Sequence, residues 1–213
     1  VEAAEQFEQA HRLAPGSSAA VANRLATMLC RGDVTAEEIL KAHCESSHVL
    51  WGDLKPSPTG SSRRRRDRAP LKVGFVSPDF GQHPVGRFLL GAFESFDTSR
   101  VQAVCFSDRI QVDAFTDRFR SAAAEWFDIR GREDEEVSEW IGGAGVDVLV
   151  DLTGHTGRHR LGVFARRSAP LQLSWIGYPS TTGLEAIDVL VADEVLVPRG
   201  AEALFCERVE RLE

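Results

Sequence analysis

Residues 71–213 predict a Rossmann-like α/β lobe built on a parallel sheet, preceded by a helical segment over residues 1–54. Three observations carry that expectation. Short apolar runs of strand length recur along the second part of the chain, amphipathic helical stretches alternate with them, and the composition changes abruptly between 55 and 70. Near-continuous apolar strands, with no polar alternation, suit a parallel sheet covered on both faces.

In the first segment, Ala3, Phe7 and Ala10 share one helical face and Pro15 stops the helix. The pattern fits the second helix of a tetratricopeptide repeat with its closing proline. Another amphipathic stretch runs from about Ala19 to Cys30. A third starts at Thr35, which can cap it while Glu38 closes a capping box. Residues 55–70 are rich in Pro, Ser and Arg and read as a linker. The run Arg63–Arg66 suits a phosphate or nucleic-acid patch, but no aromatic residues interleave with it. A solvated connector is the favoured reading.

From Leu71 onward the expected strands are 71–77, 101–106, 125–129, 146–152, 171–176 and 187–192. Helices are expected near 85–96, 112–123 and 159–167, with another starting at the acidic run Glu133-Asp134-Glu135-Glu136. The chain has 213 residues, 43% hydrophobic and 27% charged, which is ordinary globular usage and excludes disordered and fibrous classes. A net charge of −7 argues against nucleic acid as the main partner. No apolar run reaches the roughly 18 residues a membrane span needs, and Val1-Glu2-Ala3-Ala4-Glu5 does not resemble a signal peptide. The four cysteines form no C-x-x-C pair or zinc spacing, so reduced thiols and a cytoplasmic setting are expected.

Ligands of such sheets bind outside the carboxyl ends of the strands. After the first strand comes Ser77-Pro78-Asp79-Phe80-Gly81-Gln82-His83-Pro84-Val85-Gly86, which lacks a G-x-G-x-x-G fingerprint. It offers His83, a possible proton acceptor or a structural residue at a helix start. After the fourth strand, Asp151 to Arg160 supplies Gly154 and Gly157 for close backbone approach. His155, Thr156 and the arginines there add polar groups suited to sugar or phosphate oxygens. His155 and His159 could flank a metal only if helical, which the glycines oppose. The third loop, Gly177 to Gly183, holds Tyr178, Pro179 and Thr182. Tyr178, the one tyrosine of the chain, can stack on a ligand or pack beside Trp175. Asp193 and Glu194 end the last expected strand and carry no assigned role.

These loops, in this order, resemble the start of the catalytic region of O-linked N-acetylglucosamine transferases. The resemblance rests on Lys72 to Phe80 followed by His83, Leu152 to Thr156, Ala169 to Gln172, Trp175 to Pro179, and Thr181 to Leu184. It covers about residues 71–213 and is closer to the Spindly-like and bacterial branch than to the animal enzymes. It implies an inverting transferase with two Rossmann-like lobes, a nucleotide-sugar donor, and neither metal nor cofactor. The acceptor would be Ser or Thr of a protein threaded along a repeat superhelix. His83 would be the proton acceptor, with Asp79, Gly154, His155, Thr156, Tyr178, Pro179 and Thr182 binding substrate. The family holds its donor mainly through the second lobe, whereas this chain stops at Glu213, about where the first lobe ends. The isolated chain is therefore expected neither to bind nucleotide sugar tightly nor to turn over. UDP-N-acetylglucosamine and GDP-fucose both remain open as donor. A non-enzymatic interaction module with a degenerate lobe is the alternative. Another class of nucleotide-binding protein is weakened by the absent glycine fingerprint.

Overall fold

The computed structural model describes residues 2–57 and 70–212. Most of the expected linker, including Arg63–Arg66, lies outside the described residues. Three helices open the chain: α1 (Glu2–Leu13), α2 (Ser18–Leu29) and α3 (Ala36–Trp51). Ser17 caps α2. At α3 the expected capping box is formed, with the Glu38 N–H donating to Thr35 Oγ1 at 3.2 Å and the Thr35 N–H donating to Glu38 Oε2 at 2.8 Å. The helices share a small core of Val21, Leu25 and Ala42, flanked by Met28 and Leu50. So thin a core gains from leaning on a larger body. His43, Ser46 and Ser47 of α3 are buried, and Ser47 Oγ donates to the Thr182 carbonyl of the following lobe at 3.0 Å.

That lobe contains β1 (Leu71–Ser77), α4 (Pro84–Ser95), β2 (Val101–Ser107), α5 (Ala114–Ala122), β3 (Glu125–Asp128), α6 (Asp134–Ala144) and β4 (Val148–Asp151). It continues through α7 (Leu161–Ala165), β5 (Leu171–Trp175), β6 (Val189–Ala192), a 3₁₀ turn (Glu202–Leu204) and β7 (Arg208–Arg211). The strands form one parallel sheet in the order β3-β2-β1-β4-β5-β6-β7. The expected parallel α/β class is the one observed.

Alternate residues of each inner strand feed opposite cores, as the period of two requires. Phe75, Ala103, Cys105 and Val150 meet Val85, Leu89 and Phe93 of α4 and Phe119 of α5. Val76, Val104, Phe106 and Leu149 meet Val137 and Ile141 of α6 and Phe164 of α7 on the other face. Gly74 is required by packing: a Cβ there would approach Leu149 and Val146 side-chain carbons to 2.9–3.1 Å.

The sequence does not announce β7. Arg208-Val209-Glu210-Arg211 has a single apolar residue and pairs only with β6, so its place depends on tertiary pairing rather than on a local pattern. The helix expected at 159–167 is shorter, since Arg160 (φ −125°, ψ 38°) and Arg167 (φ 53°) lie outside the helical region.

Candidate active site at the carboxyl edge of the sheet

The strand order reverses between β1 and β4, and in doubly wound sheets the ligand crevice opens at such a reversal. The loops after β1 and β4 therefore flank the crevice. These loops carry Asp79 and His83 on one side and Gly154, His155 and Thr156 on the other.

The β1–α4 loop is tightly determined. Phe80 is buried against Phe93, Phe119 and Trp126. The Asp79 N–H donates to Ser77 Oγ at 2.9 Å, the Gly81 N–H to the Asp79 carbonyl at 2.7 Å, and the His83 N–H to the Gly81 carbonyl at 2.7 Å. A Cβ on Gly86 would overlap the Gly81 carbonyl, so the helix can pack this closely only with glycine there. His83 is the N-cap of α4, followed by Pro84 at a favoured first helical position. Its ring makes no capping hydrogen bond, and so remains available for other work. His83 Nδ1 lies 3.5 Å from Asp79 Oδ1, and the His83 side chain is 43% exposed. Burial pushes the Asp79 carboxyl above its ordinary value, while the nearby His83 and Arg109 pull it back. The contact falls short of a hydrogen bond, and Nδ1 is buried without one, but a carboxylate facing it favours the tautomer protonated at Nδ1.

The other expected site residues divide by environment. His155, Tyr178 and Thr182 are buried and bonded to protein groups. The His155 Nε2–H donates to the Thr182 carbonyl at 2.7 Å. The Tyr178 hydroxyl pairs with His43 Nε2 at 2.7 Å, while the His43 Nδ1–H donates to the Ile39 carbonyl at 2.7 Å. Thr182 donates from its N–H to Glu207 at 2.7 Å, and its hydroxyl also bonds that carboxylate. Gly154, with φ of 55°, lies where a Cβ would overlap Tyr178. Thr156 is partly buried and donates to the Thr153 carbonyl at 2.9 Å, while Pro179 is exposed. His159 Nε2 pairs with Ser18 Oγ of α2 at 2.7 Å. The Nε2 atoms of His155 and His159 are thus both engaged by protein groups. Among the described residues, no group of three or more His, Cys, Asp or Glu is arranged to hold a metal.

The buried His43 and His155 and the half-buried His159 form an imidazole cluster between the helices and the sheet. Ring centroids lie 5.3 Å apart for His43 and His155, and 5.8 Å for His155 and His159. Trp51 and Tyr178 complete the cluster. Desolvation, then the neighbouring imidazole, pulls His43 down to about 3 and His159 to about 4; desolvation also lowers His155. His43 escapes a site reading from sequence alone because a histidine inside an amphipathic helix gives no local signal.

Two further features lie along the edge. Asp151, at the end of β4, is buried and raised to about 6 by desolvation, though it accepts from the Gly154 and Thr153 N–H groups at 2.8 and 3.2 Å. An open groove of about 1050 Å³ is bordered by Phe88, Trp175, Ile176, Val195, Leu196 and Arg211. Ile176 has φ of 63°, a strained conformation for a β-branched residue, held where the chain leaves β5. Gly177 follows so tightly that a Cβ would overlap the Leu152 carbonyl. Phe88 and Val195 are 73% and 90% exposed.

The fold and this edge define a doubly wound lobe with an open ligand face. The chain belongs to glycosyl transferase family 41, whose model matches residues 55–212. It is 35% identical over 209 residues to a protein of Solanum lycopersicum described as a probable UDP-N-acetylglucosamine–peptide N-acetylglucosaminyltransferase SPINDLY, a match covering 94% of this chain and 22% of that protein. A Caenorhabditis elegans UDP-N-acetylglucosamine–peptide N-acetylglucosaminyltransferase is 29% identical over 145 residues, covering 65% of this chain and 12% of that one. A solved structure of a Thermobaculum terrenum O-GlcNAc transferase mutant matches with a TM-score of 0.92 and 32% identity, over 99% of this chain and 40% of that one. The chain thus spans about a fifth of the length of the SPINDLY relatives it matches.

Proposed function

We propose that this chain is the acceptor-side lobe of a protein O-glycosyltransferase, with His83 as the general base. The observation that carries the proposal is the Asp79–His83 pair at the strand-order reversal, 3.5 Å apart, with the His83 side chain 43% exposed and Asp79 largely covered. A Ser or Thr hydroxyl is a weak nucleophile at neutral pH. Its oxygen attacks the anomeric carbon of the donor as His83 Nε2 takes its proton. The new carbon–oxygen bond forms on the face opposite the breaking bond to phosphate, and the nucleoside diphosphate departs. Asp79, 3.5 Å from Nδ1, favours a proton there and offsets the charge that develops on the imidazole. This scheme invokes no metal step.

The names of the relatives favour UDP-N-acetylglucosamine as donor, with GDP-fucose as the second candidate. We place most of the donor contacts on residues outside this chain, across the groove bordered by Trp175, Ile176 and Val195. We assign His155, Tyr178 and Thr182 to holding the edge against α3 rather than to touching sugar, because the His155 Nε2, the Tyr178 hydroxyl and the Thr182 N–H and hydroxyl are engaged inside the protein and the one unpartnered nitrogen, His155 Nδ1, is buried. Four cysteines outside any disulfide fit a cytoplasmic setting.

The test is incubation of the full-length protein with an acceptor peptide and either UDP-N-acetylglucosamine or GDP-fucose, read by intact mass. Transfer from one donor is the expected result, and transfer from neither overturns the proposal. Calorimetry on the isolated chain addresses the donor contacts: weak or no binding is expected, whereas micromolar affinity would relocate them into this lobe.

A further inference from the structure

We infer that Arg109, from the loop after β2, is a positioning residue that clasps the Asp79–His83 loop in its working shape. The inference rests on the general-base reading above and extends it to a residue with no motif of its own.

The clasp has three contacts. The Arg109 guanidinium occupies the space over Gly81 where a Cβ would sit, so that any side chain at 81 would overlap its Cζ, Nε and Nη2. Arg109 Nη2 donates to Asp113 Oδ2 at 2.6 Å. The same oxygen accepts the Gln82 N–H at 2.8 Å. Asp113 is itself fixed, because its Oδ1 accepts the Thr116 N–H at 3.0 Å and caps α5. Gly81 and Gln82 are thus pinned midway between Asp79 and His83.

Charge supports the same role. The charged groups bearing on Asp79 are His83 on its own loop and Arg109 on the neighbouring one; Asp113 faces Arg109 from behind. The Arg109 side chain is only 14% exposed, so its field is poorly screened by solvent. Burial favours a protonated Asp79, and Arg109 opposes that tendency. A protonated Asp79 would no longer stabilise an imidazolium at His83. The Arg109 Nε is buried without a hydrogen-bond partner, so this part of the guanidinium is placed by packing on Gly81.

Two variants separate shape from charge. Arg109→Gln removes the cation, whereas Gly81→Ala keeps it but forces it off the loop. Gly81 is not among the residues with positive φ, so alanine adds a clash without backbone strain. In the isolated chain, carbon-detected NMR titration of Asp79 should show its midpoint rise in Arg109→Gln and rise less in Arg109→Lys. In the full-length enzyme, Gly81→Ala and Arg109→Gln should each lower kcat/KM by up to about 10²-fold, the scale of misplacing a reacting group by about 1 Å. The acid limb of the pH profile should move upward in Arg109→Gln, a change that a purely structural defect would not produce. An unshifted Asp79 midpoint in folded Arg109→Gln overturns the inference. Should His83→Ala transfer sugar at the parent rate while the Asp79 midpoint still moves, the general-base reading fails and the charge coupling of Arg109 to Asp79 survives.

Discussion

Two histidine sites lie on neighbouring parts of this lobe and are built in opposite ways. His83 is 43% exposed, faces one carboxylate, and spends neither ring nitrogen on capping its helix. His155 is 1% exposed, donates to the Thr182 carbonyl, and has two further imidazoles within 6 Å of its ring. Moving a proton during turnover requires access and a charge partner, and His83 has both. Holding two surfaces together requires burial and hydrogen bonds across the seam, and the His43–His155–His159 cluster supplies them through His43 to Tyr178, His155 Nε2 to Thr182 and His159 Nε2 to Ser18. Residue type is shared; environment divides the roles.

The comparison can be broken in several places. Asp79→Asn should leave the fold intact yet lower kcat on the order of 10²-fold, because the imidazole loses its charge partner; steady-state kinetics beside a melting curve decides this. An equal loss of stability and rate would make Asp79 structural. Acid should act on the other site. All three cluster histidines are lowered in the fold, so the unfolded or undocked form binds more protons below the ordinary value of 6.5. Their contribution is present above that value and drains away as pH falls toward about 4 and then 3. Glu207 bears favourably on the charged form of His155, while Arg24 opposes charge on His43 and Arg160 opposes it on His159. Asp151, raised to about 6, has the opposite dependence: its neutral form favours the fold as pH falls toward its unfolded value. The readout must therefore be local. Hydrogen exchange of α3 should lose protection on acidification before that of β1 and β2.

Smaller effects sharpen the same contrast. Tyr178→Phe deprives His43 Nε2 of its partner and should cost about 1–3 kcal/mol, measured by denaturant unfolding. Removing the capping box with Thr35→Ala should cost about 1 kcal/mol, with hydrogen exchange confined to α3 and the Asp79 titration unmoved.

How legible these features are in sequence depends on how local they are. Apolar runs such as Val73 to Val76 and Val101 to Phe106 each declare a strand by themselves, as Thr35 with Glu38 declares a helix start. The strand Arg208–Arg211 declares nothing, since its fit depends on β6 beside it. Asp79 and His83 stand four apart in one loop, so the candidate pair is visible in the chain. Arg109 reaches that loop from another strand end, and no spacing rule points to it. The burial of His155 and Tyr178 is equally non-local: it requires α3 to bring His43 and Trp51 across the sheet edge.

The most direct measurement is the rate of sugar transfer by full-length protein carrying His83→Ala, at saturating donor and acceptor, beside its donor affinity. Removal of a general base should lower the rate by about 10²–10⁴-fold with donor affinity and stability unchanged. Transfer at the parent rate would contradict a catalytic role for His83.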